Sequence, residues 1–200
     1  MSTTDPVTAA ILVIGDEILS GRTKDKNIGY IAEYLTNVGI DLKEVRVVPD
    51  DEDEIVTAIR ALKGRYTYLF TTGGIGPTHD DITADCVAKA FGVPIDHDPR
   101  AVAILRERYR AEDLNEARLR MARIPHGADL IENPISKAPG FRLGNVIVMA
   151  GVPQIMQAML DNAMPGLKTG AKMLSRSVET GGLAEGIYAE ALGAIAKTHE

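Results

Sequence analysis

Residues 71–85 read Thr71-Thr72-Gly73-Gly74-Ile75-Gly76-Pro77-Thr78-His79-Asp80-Asp81-Ile82-Thr83-Ala84-Asp85. The order predicts a buried strand, a glycine-rich turn and the start of a helix. Gly73, Gly74 and Gly76 open backbone conformations closed to other residues and admit the close approach of a bound group, while Thr71, Thr72 and Thr78 supply hydroxyls. Unpaired backbone N–H groups at a helix start, together with the helix dipole, attract anions. Asp80, Asp81 and Asp85 put negative charge at that same place, which suggests a metal ion between protein and phosphate. The plainer alternative is an ordinary capped turn, because Asp is a good N-cap and an acidic first turn suits the dipole.

Outward from this stretch, strands and helices alternate. Val7 to Ile14 is an apolar run rich in β-branched residues and stopped at Gly15, as expected of a strand buried on both faces. Asn27 to Val38 carries a helical stripe of Ile28, Ile31, Ala32, Leu35 and Val38 closed by Gly39, the usual C-terminal position for glycine. Residues 42–48 predict a strand ending at Pro49, Asp50 to Asp53 cap a helix lined by Ile55, Val56, Ile59 and Leu62, and Tyr66 to Thr72 predicts the strand that enters the glycine turn. Ile82, Cys86, Val87, Ala90 and Phe91 form one face of the following helix, which makes Cys86 a small packing residue. Residues 98–123 read as helical, with arginines and acids interleaved as on a solvated face. The turn formers of 124–145 predict a small antiparallel excursion, Val146 to Ala150 a last strong strand, and Ile155 to Leu160 another helix ending near Pro165. Leu174 to Thr180 predicts a strand and Leu183 to Ala196 a helix. The expected plan is a flexible start at 1–6, a domain over 7–167 and a strand-helix appendage over 168–200.

Composition narrows the function classes. A net charge of -6 and 4% aromatics with no Trp disfavour nucleic-acid binding by general electrostatics or base stacking. Cys86 is the only cysteine, so neither an internal disulfide nor a Cys-rich zinc site forms, and a cytoplasmic setting is expected. The polar start and the interruption at Gly15-Asp16-Glu17 match neither a signal segment nor a membrane span, so no membrane partner is expected.

In a largely parallel sheet covered by helices on both faces, every strand ends on the same edge. The segments Gly15 to Asn27, Pro49 to Asp53, Thr72 to Asp81 and Gly151 to Pro153 are therefore expected to meet there, bringing Asp16, Glu17, Ser20, Asp50 and Asp81 to one rim. Acidic pairs from separate loops repel one another unless a cation joins them. Hydrated Mg²⁺, which prefers oxygen ligands and bridges to phosphate, suits such a set better than zinc, with Asp16, Glu17, Asp50 and Asp81 as the candidate ligands.

Gly15-Asp16-Glu17-Ile18-Leu19-Ser20-Gly21, Val48-Pro49-Asp50-Asp51, Thr71 through Thr83 and Gly151-Val152-Pro153 together resemble the molybdopterin-binding domain shared by MoaB and Mog proteins, the N-terminal domain of competence/damage-inducible protein A (CinA), and part of some FAD synthases. The opening Gly-Asp-Glu, the Pro77-Thr78-His79-Asp80-Asp81 stretch, and Ile124 to Ala128 leading to Asn133-Pro134 and Ala138-Pro139-Gly140 look closest to the CinA branch. The resemblance implies a three-layer α/β sandwich with a mostly parallel sheet, self-association as a homo-oligomer (dimer or trimer), and a pocket for molybdopterin or an adenine nucleotide, a small phosphorylated ligand. It implies functional carboxylates at Asp50 and Asp81, and a phosphate cradle of Thr71, Gly73, Gly74, Gly76 and Thr78. Thr72, Pro77, Gly15, Ser20, Gly151 and Pro153, in the same loops, complete the candidate ligand site. Adenylyl transfer, or the pyrophosphate cleavage of ADP-ribose ascribed to CinA-type members, is the implied chemistry, with a non-catalytic binding or assembly module as a further alternative. Two departures stand out: Ser136-Lys137 replaces the usual Gly-Thr, and Gln154-Ile155 lacks the acid of Pro-Gly-Val-Pro-x-Glu, which counts against hydrolysis. The tail from Leu174 resembles the beginning of the small module that follows this domain in CinA-like proteins.

Overall fold

Strand β1 (Thr8–Ile14) has no polar alternation because both of its faces are covered. Ala10, Leu12 and Ile14 enter one buried cluster, and Ala9, Ile11 and Val13 enter another on the opposite side of the sheet. The computed structural model describes residues 6–171, 174 and 176–199. After β1 the chain runs through α1 (Asp16–Leu19), α2 (Asn27–Asn37), β2 (Asp41–Val48), α3 (Glu52–Lys63), β3 (Tyr68–Thr72) and α4 (Thr83–Phe91). An excursion follows with β4 (Ile95–His97), α5 (Pro99–Arg108), α6 (Glu116–Leu119), β5 (Arg123–Pro125) and β6 (Asp129–Ile131). β7 (Gly140–Leu143), β8 (Val146–Met149), α7 (Pro153–Ala163) and α8 (Ala189–Lys197) complete the order.

The six-stranded sheet has the order β2-β1-β3-β8-β7-β6. β2, β1, β3 and β8 are mutually parallel, and β7 and β6 turn the far edge antiparallel. Helices α3 and α4 pack with the cluster containing Leu12, and α2 and α7 with the cluster containing Ile11. The result is a three-layer α/β sandwich with a mostly parallel sheet, as the alternation of strands and helices predicts.

Local chemistry sets the boundaries. Gly39, at φ 76°, takes the left-handed turn that ends α2. The Asp51 carboxylate caps α3 by accepting from the N–H groups of Asp53 and Glu54 at 3.0 Å, a contact worth about 1 kcal/mol. Burial of Ile55, Val56, Ile59 and Leu62 follows their helical spacing.

Three features differ from the sequence reading. Residues 98–123 are not one helix: the backbone is extended at Tyr109, and α6 starts afresh where the Asn115 side chain accepts from the N–H of Arg118 at 3.0 Å. Such local side-chain bonds compete with helix continuation. Strand β4, only three residues long, pairs antiparallel with β5 and has no periodicity by which to find it. The strand expected over 174–180 does not form at its described residues, Leu174 and 176–180, whereas the helix expected over 183–196 forms as the shorter α8, Ala189–Lys197. Residue 175 of that strand, residues 172, 173 and 200 of the expected appendage, and residues 1–5 of the expected flexible start lie outside the described residues. Among the described residues, no helix is long and apolar enough to cross a membrane.

Candidate functional site

Four strand ends meet at one rim, and backbone bonds carry the sheet ladder one residue beyond the strands. The N–H of Gly15 donates to the carbonyl of Val48 at 3.1 Å, and that of Gly73 to the carbonyl of Met149 at 3.2 Å. The loops are then tied to one another by side chains. The N–H of Asp16 donates to Asp50 Oδ2 at 3.0 Å, and Asn27 Nδ2 donates to the carbonyl of Gly151 at 2.8 Å. Convergence of the four loops, expected from a parallel sheet, is thus built into the backbone.

The glycine turn is fixed from both sides. Gly73 has φ 103°, and a Cβ there would sit 2.1 Å from the carbonyl oxygen of Ile14, so only glycine lets the loops after β1 and β3 lie this close. The start of α4 folds back on the turn, with Thr83 Oγ1 donating to the carbonyl of Gly73 and the Thr83 N–H to that of Gly74, both at 2.9 Å. Asp81 does not cap α4, which has no side-chain cap. Its carboxylate instead accepts from the N–H of Thr78 at 2.8 Å and from the Thr78 hydroxyl. The Asp81 carboxylate lies against Gly76, where a Cβ would approach Oδ2 to 2.6 Å. Arg120 Nη2 donates to the carbonyl of Asp81 from behind at 3.3 Å.

In front of the turn lies a cleft of about 590 Å³, within the range of small-molecule sites. Its rim side is formed by Glu17, Gly73, Gly74, Gly76, Pro77 and Asp81, and its floor by Gly151, Pro153, Ile155 and Met159. The excursion supplies the opposite wall through Tyr109, Arg118, Met121, Asn133 and Ser136. Arg118 is the only cation among the described residues that line it.

The structure separates the expected site residues into groups. Gly73, Gly74, Gly76, Pro77, Asp81, Glu17, Gly151 and Pro153 all line the cleft. Asp16 and Asp50 stand beside it on the same rim, joined by their hydrogen bond. Gly15 is buried next to Glu17, Ser20 is exposed and accepts from Arg22 Nε at 3.2 Å, and Thr78 braces Asp81. Thr71 and Thr72 are fully buried, and neither hydroxyl has a hydrogen-bond partner among the described residues. Thr71 shares its face of β3 with Leu69 and is not among the lining residues of the cleft, and Thr72 lines a chamber of about 60 Å³ with Asn27, Glu17 and Gly151.

Electrostatically the rim is acidic. Burial, then the neighbouring charges of Glu17, Asp16 and Asp80, push the Asp50 carboxyl above its ordinary range, and the Asp16 N–H only partly opposes them. A cation would relieve that crowding. Even so, no group of three or more acidic, histidine or cysteine side chains converges as a metal set among the described residues. Asp16, Glu17, Asp50 and Asp81 therefore do not form a ready-made cage, and Mg²⁺ fits here only in its usual manner, through one or two carboxylates with the ligand's own phosphates completing its shell. Cys86 is buried and its thiol is pushed up to about 12, chiefly by desolvation, as befits a packing residue.

The cleft wall of Tyr109, Arg118, Met121 and Asn133 is absent from the sequence-derived candidates. Alternating charge signs across 98–123 read as solvent, and nothing in that pattern singles out Arg118. Asn133 carried a signal through its place between turn formers. It is 2% exposed, its Nδ2 donates to the carbonyl of Ala138 at 2.8 Å and to Ser136 Oγ, and its Oδ1 accepts from the N–H groups of Ile135 and Ser136 at 3.1 and 3.2 Å. Both departures noted above fall near this space, since Ser136 and Ile155 line the cleft.

A family model described as a probable molybdopterin binding domain matches residues 10–169. A curated protein of Caldivirga maquilingensis is 35% identical over 194 residues, covering 94% of this chain and 76% of the relative. Of other curated relatives the chain spans only 61–64% of the length. Among solved structures, the protein CinA with unknown function from Thermoplasma acidophilum is 38% identical with a TM-score of 0.74, over 78% of this chain and 96% of that one. The molybdopterin biosynthesis enzyme MoaB from Thermus thermophilus shares the fold, with 18% identity and a TM-score of 0.53 over 80% of this chain and 91% of that one.

Proposed function

The chain belongs to the probable molybdopterin-binding domain family, and from that premise we propose that its cleft binds a phosphorylated pterin or an adenine nucleotide together with Mg²⁺. The observation that carries this reading is the glycine turn, with Gly73 against the Ile14 carbonyl, Gly74 against the Thr83 side chain and Gly76 against the Asp81 carboxylate, opening into a cleft of about 590 Å³ with an apolar floor. The floor suits a planar ring. The turn suits phosphate oxygens, because its glycines carry no side chains of their own to keep a ligand from the backbone N–H groups. Asp81 holds the shape of the turn through Thr78, and Asp50 supplies a carboxylate at the adjoining rim. When bound, Mg²⁺ would neutralise phosphate oxygens and ease an adenylyl transfer.

Ile155 favours binding or group transfer over hydrolysis, since it puts an apolar side chain in the cleft where CinA-type relatives are expected to carry an acid. Pyrophosphate cleavage of ADP-ribose is the competing outcome. Thermal unfolding with pterin and adenine nucleotides, each with and without Mg²⁺, tests the reading. A specific ligand raises the midpoint once its concentration exceeds the dissociation constant, stabilising the fold by about 2.7 kcal/mol at a hundredfold excess. No shift with any phosphorylated pterin or nucleotide would refute it. Steady release of AMP from ADP-ribose, lost on Asp81→Asn, would replace it with the hydrolase. A role in molybdenum cofactor biosynthesis and function as a cytoplasmic dimer or trimer belong to the same proposal, and sedimentation tests the latter.

A further inference from the structure

The geometry points to Arg118, seated on Tyr109, as an anion anchor on the far wall of the cleft, taking a phosphate group of the ligand opposite the glycine turn. This rests on the phosphorylated ligand proposed above and names a residue that fixes its pose. An anion entering the cleft meets Asp81 and Glu17 on the rim side, and like charge there is unfavourable. Arg118 is the sole opposing cation among the described lining residues. With no preformed metal set among the described residues, it carries the balancing charge that the protein itself can offer.

The side chain is placed for this work. Asn115 fixes its backbone, Nη1 donates to the carbonyl of Asp113, and Cζ stands 4.5 Å from the Tyr109 ring centroid, well inside the range of a favourable cation–π contact. Nε and Nη2 have no protein partner among the described residues. The Asp113 carboxylate, 3.8 Å from Nη1 and 55% exposed, is too solvated a partner to cancel the charge. A planar guanidinium with one edge held and the other open is suited to two parallel hydrogen bonds to a phosphate. Lysine at this position would keep the charge but lose the fork and the stacking.

Calorimetric titration of the full chain with AMP, adenosine and inorganic pyrophosphate, all with Mg²⁺, tests the inference in the wild type, Arg118→Gln, Arg118→Lys and Gly76→Ala. The anchor predicts that Arg118→Gln weakens AMP and pyrophosphate about 10- to 100-fold, leaves adenosine affinity unchanged, and that Arg118→Lys falls between. Equal AMP affinity in the wild type and Arg118→Gln, with loss only in Gly76→Ala, overturns the anchor and leaves the phosphorylated ligand standing. A proportionate loss of adenosine binding in Arg118→Gln also overturns it, because the residue would then only shape the wall. A wild type that binds neither AMP nor pyrophosphate overturns the anchor, and one that in addition shows no thermal shift with any phosphorylated pterin or nucleotide overturns the ligand class with it.

Discussion

The two walls of the cleft are made in different ways. On the rim side, parallel strands deliver loops whose placement is decided by backbone: ladder bonds at Gly15 and Gly73, and a glycine pressed against the Ile14 carbonyl. On the excursion side, hardly any sheet is involved, and the wall is shaped by individual side chains, Asn115 starting α6, Asn133 knitting its turn and Arg118 lying on Tyr109. The first wall leaves no room for a Cβ at Gly73. The second depends on named polar groups.

Breaking the backbone-built wall has the largest expected effect. Gly73→Ala must move the Ile14 carbonyl and adopt a positive φ, so a loss of about 3–5 kcal/mol is expected, read as a lower urea midpoint. Unchanged stability would mean that the loops are not held this tightly. Breaking the side-chain-built wall costs less: Asn133→Ala leaves buried N–H and carbonyl groups unpaired and is expected to cost about 2–3 kcal/mol, with ligand affinity falling as Ser136 and Ala138 shift. A loss confined to stability, with affinity untouched, would separate that turn from the cleft.

Smaller effects sharpen the contrast. Thr71→Val exchanges a buried hydroxyl without a partner among the described residues for a methyl of the same shape, so stability should hold or rise by up to about 1 kcal/mol. A clear loss would reveal a partner for that hydroxyl. Asp50→Asn should raise the unfolding midpoint at neutral pH, because it removes a carboxylate whose ionisation is opposed in the fold. With its pKa raised, native Asp50 holds its proton better than the unfolded chain does, so its stability contribution is greatest at acid pH and declines as pH rises through the folded value. The advantage of Asp50→Asn therefore shrinks on acidification, and an advantage independent of pH would point to another cause. Loss of ligand binding in the same variant would mark the usual exchange of stability for function.

What the sequence disclosed follows the same division. Val7 to Ile14, the stripe from Ile28 to Leu35 and the glycines of 73–76 carry strong periodic or conformational signals, and they fixed the sheet, its layers and the rim. Arg118 and Tyr109 carry none: their positions in the cleft depend on where the chain breaks after Arg108, which local side-chain bonds decide rather than hydrophobic spacing. Thr71 shows the converse, a residue beside the turn in sequence whose strand register aims it into the core. Loop position alone could not distinguish a cradle hydroxyl from a buried one.

A structure of the chain crystallised with AMP and Mg²⁺ tests the central claim most directly. The account predicts the nucleotide between the Gly73–Gly76 turn and the Arg118 guanidinium, its ring over Ile155 and Met159. Density instead in the separate groove of about 510 Å³ formed by Asp96, His97, Glu116 and Arg123, with the glycine turn untouched, would contradict it.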